Sequence, residues 1–189
     1  LHIACRLGLP RIANILIEKC GIDINTRDSA GRTPLYWAAR YGEEGVVKAL
    51  LQNPNIIADA PSARGQTPLF AAAVNGHTSV VSILLQRPDV SPNTISPPYS
   101  DSPLSRAVEL GHTGVIKALL SHPHININIR SKLGGVTPLW LAVHHGWIDV
   151  VLMLLQRPEL DVNITDTRRH QTALQLAVQN GHGAITKLL

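Results

Sequence analysis

The sequence predicts an all-α solenoid of stacked helix–turn–helix units joined by β-turn fingers. Three observations carry that expectation. A leucine recurs at Leu1, Leu35, Leu69, Leu104, Leu139 and Leu174, in steps of 34, 34, 35, 35 and 35 residues. Seven residues after each comes a glycine: Gly8, Gly42, Gly76, Gly111, Gly146 and Gly181. An apolar stripe follows every glycine. A fixed period of this length marks a repeat array, in which each unit is one supersecondary element.

Each unit opens on a hydroxyl residue: Thr33, Thr67, Ser102, Thr137 and Thr172. Its side-chain oxygen can accept from the orphan N–H groups of a helix's first turn. Pro34, Pro68, Pro103 and Pro138 follow at the first helical position, where the absent N–H is not missed. The glycine ends this first helix about two turns later, because it takes the left-handed C′ conformation without strain. A second helix is predicted over IANILI (12–17), VVKALL (46–51), VVSILL (80–85), VIKALL (115–120), VVLMLL (150–155) and AITKLL (184–189). These segments are apolar at i, i+1, i+4 and i+5, which makes one stripe. Pro54, Pro88, Pro123 and Pro158 stop the helix. An asparagine follows (Asn25, Asn93, Asn128, Asn163), with Asp59 in the second unit, and a polar finger leads to the next cap. Helices this short are marginal alone in water. They persist by burying their stripes against neighbouring units, which makes a quasi-one-dimensional stack.

Composition agrees with this architecture. Hydrophobic residues make up 44% and aromatics only 4%, so the core must be Leu, Val, Ile and Ala. No apolar run approaches the ~20 residues that span a membrane, and no basic start leads into an apolar signal segment. Cys5 and Cys20 do not make a disulfide framework. The expected setting is therefore reducing and intracellular: the cytoplasm, with the nucleus also open.

The units resemble the ankyrin repeat. The resemblance rests on TPLYWAARYG, TPLFAAAVNG, SPLSRAVELG, TPLWLAVHHG and TALQLAVQNG as first helices, the V-V-x-x-LL second helices, and the turn that follows. It divides the chain into repeats at 1–30, 31–64, 65–99, 100–134, 135–169 and 170–189, the first and last incomplete. Three departures stand out. Every helix-2 exit carries an added residue, as in LLQRPELDVN, and the last three fingers carry another. This proline-punctuated form resembles ankyrin arrays of large fungal proteins, where they trail effector domains. The residue after TPL, usually His, is here His2, Tyr36, Phe70, Ser105, Trp140 and Gln175, so its usual bond to the cap hydroxyl is not expected in most units. The finger glycine (Gly31, Gly65, Gly135) becomes Ser100 and His170, and those two fingers are expected to bend differently. The finger TISPPYSD, with Pro97 and Pro98, is not expected to form a regular hairpin. Neither terminal unit shows a polar outer face, so more repeats or another domain are expected on at least one side.

The resemblance implies function as well. Arrays of this kind bind partner proteins in a concave groove lined by finger tips and first-helix ends. Carried over position by position, the candidates are Arg40, Tyr41, Asn75, Glu109, His144, His145, Gln179 and Asn180 on the helix ends. Arg32, Arg64, Lys132, Arg168 and Arg169 stand on the fingers, with Trp37 and Arg106 beside them. The net charge of +4 lies wholly in the fingers, which hold seven basic and three acidic residues. A mildly basic rim favours an acidic protein partner. His144 should face Glu109 one unit away, which would make the groove respond to pH.

Other functions find less support. Four net charges along an array of about 50–60 Å, at ~10 Å per helix layer, are sparse beside the phosphates of DNA. Nucleic acid is therefore not the expected partner. No phosphate loop, G-x-S-x-G elbow or H-E-x-x-H motif is present, so no catalytic residues are assigned. His77, His112 and His182 follow the glycines in separate units. His144 and His145 are adjacent, whereas two ligands on one helix face need i, i+4 spacing. Neither a metal nor another cofactor is expected. The sequence therefore reads as a non-enzymatic protein-binding arm, the recognition or scaffold part of a larger protein. The alternative is a regulatory or substrate-recruiting arm of an enzyme or signalling protein whose catalytic or nucleotide-binding domain lies elsewhere. The oligomeric state is not legible.

Overall fold

The computed structural model describes residues 1–97 and 101–189. Twelve α-helices form among them, in pairs. The first pair is α1 (His2–Arg6) and α2 (Pro10–Glu18), and the second α3 (Pro34–Tyr41) and α4 (Glu44–Leu51). Then follow α5 (Pro68–Val74) with α6 (Thr78–Leu85) and α7 (Pro103–Glu109) with α8 (Thr113–Leu120). The last pairs are α9 (Pro138–His144) with α10 (Ile148–Leu155), and α11 (Ala173–Gln179) with α12 (Gly183–Leu188). Odd-numbered helices pack in one row and even-numbered helices in a second. The core runs between the rows. Leu35, Leu69, Leu104 and Leu139 contribute from the first row, and Leu50, Leu84, Leu119 and Leu154 from the second, all essentially inaccessible.

The local signals act as expected. Thr33, Thr67, Ser102, Thr137 and Thr172 each accept the backbone N–H three residues on, at 3.1–3.3 Å. The repeating glycines after the first helices all have φ between +66° and +76°. Second helices begin two residues before their apolar stripes, or one in α12, and end three residues before each exit proline. The residue after TPL bonds the cap hydroxyl in a minority of the described units, in line with the expectation that most would not. Ser105 and Gln175 both reach the cap hydroxyl with their own side chains, at 3.1 and 3.4 Å. Tyr36 instead reaches the next repeat.

The fingers are turns rather than strands. Gly31 and Gly65 donate back to the Asp28 and Ser62 carbonyls, both at 2.8 Å. The one β-type pairing among the described residues is an isolated antiparallel bridge between Ser96 and Asp101. That matches the absence of a regular hairpin expected from Pro97; Pro98 and Ser100 lie outside the described residues. His170 departs from expectation. It adopts φ +52°, the left-handed region of the finger glycines it replaces, and its turn closes through Asp166 and Gln171.

Asparagines staple one exit loop to the next. Asn25 donates to the Asn55 carbonyl at 2.7 Å and accepts from the Ile57 N–H at 2.9 Å. Asn93 does the same with His124 and Asn126, and Asn128 with Glu159 and Asp161. A carboxamide suits this role because one end presents both a donor and an acceptor. Asp59 occupies the equivalent place without the donor. It accepts from Ser91 at 3.3 Å, and its other oxygen is buried without a partner. Burial pushes the Asp59 carboxyl above its ordinary range; the Ser91 N–H opposes this, and the charge of Asp89 adds to it.

Candidate functional site

Finger tips and the ends of the odd-numbered helices share one side of the array. They form three clusters of different character.

The first is closed on itself. Asp28 accepts from the backbone N–H groups of Ala30 and Arg32, from the Arg32 guanidinium at 2.8 Å and from the Trp37 indole at 3.0 Å. Burial alone would raise this carboxyl, but those hydrogen bonds outweigh it and hold the pKa at about 2. Arg32 also lies 4.2 Å above the Trp37 ring, and Tyr41 stacks on Trp37 at 5.8 Å. The Tyr36 hydroxyl donates to Gln66 Oε1 at 3.1 Å. Arg32 is thus neutralised and fixed. Tyr41 and Arg40 stay exposed at the helix end. The Arg40 carbonyl is bonded by His77 Nε2 at 3.0 Å, as His112 bonds the Val74 carbonyl.

The second cluster is an ion-pair group. Arg106 pairs with Glu109 and lies 3.9 Å from Asp101. Burial raises the Asp101 carboxyl, Arg106 draws it back and Glu109 adds to the rise. The expected pairing of His144 with Glu109 does not form. Arg106, three residues before Glu109 on the same helix, takes that carboxylate. The ring of His144 stacks on Trp140 instead, 5.1 Å away and 13° from parallel.

The third cluster is open. Residues of the last two units enclose a cavity of about 380 Å³. Its wall includes five of the expected residues: His144, Arg168, Arg169, Gln179 and Asn180. Leu133, Val136 and Leu176 supply an apolar part, and Trp140, Asp166 and Gln171 a polar one. Asp166 is the counterpart of Asp28. Its carboxylate accepts from the N–H groups of Arg168, Arg169 and Gln171 at 2.7–3.1 Å. Burial opposes its ionisation, yet these bonds and the His170 charge hold the carboxyl below its ordinary value. The guanidinium groups of Arg168 and Arg169 point elsewhere. Among the described residues no carboxylate lies within 4.0 Å of them, nor of Arg64 or Lys132.

The remaining candidates stand apart from this cavity. Arg64 and Lys132 are exposed on other fingers. Asn75 donates back to the Ala71 carbonyl of its own helix. His145 stacks toward Trp147, with ring centroids 6.0 Å apart. Asp28, Trp140, Asp166 and Gln171 were not among the expected groove residues. A signal for the two aspartates was present: each sits at the start of a finger, where Ser62 occupies the same turn and bonds in the same way.

One defect is concentrated here. Among the described residues four buried side-chain polar atoms lack a partner, and three belong to the packing of the last two units: Trp140 Nε1, Gln171 Oε1 and His182 Nε2. Trp140 occupies the slot of Tyr36, and Gln171 that of Gln66. The bond made in the second unit is missing in the fifth. An unsatisfied buried group costs about 1–3 kcal/mol, so the arrangement is stable only with other contacts to offset it.

Residues able to hold a metal do not converge. Among those described, no three His, Cys, Asp or Glu side chains gather in one place. Burial pushes the Cys5 thiol up to about 12, which keeps it protonated. No helix among the described residues is long and apolar enough to cross a membrane.

The model of the ankyrin repeats family matches this chain in three overlapping copies, at residues 1–96, 57–132 and 104–189. The crystal structure of EF0377, described as an ankyrin repeat protein, is similar with a TM-score of 0.85. The two share 24% identity over 98% of this chain and 93% of that one, a likeness of fold. No curated protein matches.

Proposed function

The chain belongs to the ankyrin repeat family, and from that premise we propose that it is a non-enzymatic recognition or scaffold arm of a larger, intracellular protein. Ankyrin repeats are in general protein–protein interaction modules. The groove side of six repeats, divided as the period divides them, receives an acidic partner protein. The observation that carries this reading is the open cluster at the last two repeats. There His144, Arg168, Arg169, Gln179 and Asn180 line one cavity, and among the described residues neither arginine has a carboxylate partner. Unpaired guanidinium groups beside an apolar wall are suited to a negatively charged surface, with Arg able to grip a carboxylate by two parallel bonds.

A photo-crosslinking residue placed at Asn180, and another at the exposed Lys117 of the opposite row, tests the reading in cells. A discrete protein adduct should form from position 180 and not from 117. The Arg168→Ala/Arg169→Ala variant should lower that adduct several-fold in about 50 mM salt and far less in about 500 mM, because screening removes the attraction. Equal adducts at both positions, or no dependence on the two arginines at low salt, would refute it.

A further inference from the structure

Formal charge on the groove side changes sign twice along the array. In the second unit Asp28 cancels Arg32. Arg40 at the end of α3 and Arg64 on the next finger are exposed, with no carboxylate within 4.0 Å among the described residues. In the fourth unit the sign reverses. Arg106 meets two carboxylates, those of Asp101 and Glu109, which leaves one negative charge in excess. Glu109 keeps 39% of its side chain open to a partner. In the last two units the sign turns again, with exposed Lys132, Arg168 and Arg169 against the buried Asp166. We propose that the groove selects a charge pattern: an extended segment of the partner with two acidic clusters and a lysine or arginine between them. This rests on the protein-binding reading above and specifies the order of charges along the acidic partner.

The stacking of the units sets the spacing. The odd-numbered helices pack in one row, so each step along the groove is one helix layer. Arg40 ends α3 and Glu109 ends α7, two layers on. At ~10 Å per layer that is about 20 Å. The cavity with Arg168 and Arg169 is lined from α9 and α11, which adds one to two layers, about 15 Å. An extended chain advances about 3.3 Å per residue. Its basic residue therefore stands about six residues from one acidic cluster and about four from the other. Screening keeps the zones separate. The Debye length is about 10 Å at 0.1 M salt, shorter than the steps between them. The excess charge at Glu109 is thus felt locally and is not hidden by the flanking cations. A like charge placed opposite Glu109 is repelled, so the pattern rejects a uniformly acidic segment as well as favouring the matched one. The unequal spacing also gives the occupant a direction.

The test titrates capped peptides of one length into the 189-residue chain, near neutral pH in about 50 mM salt. The first carries a Glu pair, a lysine about six residues on and a second Glu pair about four residues beyond. A reversed copy covers the opposite chain direction. The second has the same composition with its glutamates adjacent. The third keeps the spacing but has glutamate in place of the lysine. The better of the two patterned copies should bind roughly fivefold more tightly than the second and the third. Plain attraction to a basic rim gives the opposite order for the third, which carries more negative charge. The Glu109→Gln variant, with a melting curve matching the parent, should lose the preference for lysine over glutamate. The comparison among peptides on the unaltered chain needs no variant to fold. Equal or tighter binding of the second or third peptide overturns the pattern, and so does no binding of any at millimolar concentration. These outcomes separate from those of the crosslinking experiment. Tighter binding of the third peptide with adducts retained at position 180 would remove the pattern and leave the acidic partner. Loss of the adducts as well would remove the groove.

Discussion

His170 and Gly31 occupy the same left-handed place in two fingers, at φ +52° and +70°. An L side chain there brings Cβ close to a backbone carbonyl, at a cost of roughly 1–2 kcal/mol. Histidine bears this better than most residues, as one of those enriched in the region. His170→Gly should therefore raise stability slightly, by about 0.5 kcal/mol after the added freedom of the unfolded chain is subtracted. Gly31→Ala should lower it by at least about 1 kcal/mol, because its Cβ would also lie 2.7 Å from the Ala63 nitrogen. That nitrogen donates to the Ala30 carbonyl and ties two fingers together. Urea melts of both variants check the pair. A His170→Gly variant less stable than the parent would show that the histidine side chain earns its place through Asp166.

At the scale of elements, the exit loops are joined by side chains that act at a distance of about one period. The Asp59 position is the weak member. Asp59→Asn should supply the missing donor to the Asp89 carbonyl and stabilise the chain by about 1 kcal/mol. The pH dependence gives a second readout. The folded state holds the Asp59 carboxyl above its ordinary 3.8. Between that value and the raised one, the native state binds more protons than the unfolded state, so stability falls as pH rises through this window. The Asn variant should lack that fall, and thermal melts from pH 3 upward, compared between the two proteins, detect it. Identical curves would mean that Asp59 senses no burial. The caps, the two-turn helices and the left-handed glycines were legible in the sequence because each depends on neighbours within four residues. The asparagines were visible as a column, but their bonds were not. Their partners lie about 30 residues away, and only the stacking of one unit on the next brings them within reach.

At the scale of the whole molecule, stability should be uneven. The TPL leucines of the inner repeats are essentially inaccessible, while Leu174 is 40% and Val178 62% exposed. Ile3 and Leu7 are exposed at the other end, and α2 fully buries only Ala13. In a stack held by nearest-neighbour interfaces, the outer units of this polypeptide should open first. Hydrogen exchange should thus be fastest in α1, α2, α11 and α12 and slowest from α5 to α8; uniform protection would contradict this. The same scale explains which parts of the site could be read early. The excess of positive charge on the fingers follows from counting. Which cations remain unpaired does not, since Asp28 takes Arg32 while Asp166 leaves Arg168 and Arg169 free, although both aspartates bind their turns alike. The missing Trp140–Gln171 bond is visible only against the Tyr36–Gln66 bond of another repeat.

The column of asparagines has a mechanical consequence. It laces the exit loops into a seam along one edge of the array, and hydrogen bonds between fingers lace the other, as from Ala63 to Ala30 and from Thr167 to Gly134. A strip sewn along both edges resists bending in proportion to its stitches. Asp59 is the eyelet holding one thread where its neighbours hold two. The step at Asp59 is therefore the most loosely stitched along that seam, so bending of the strip should meet least resistance there.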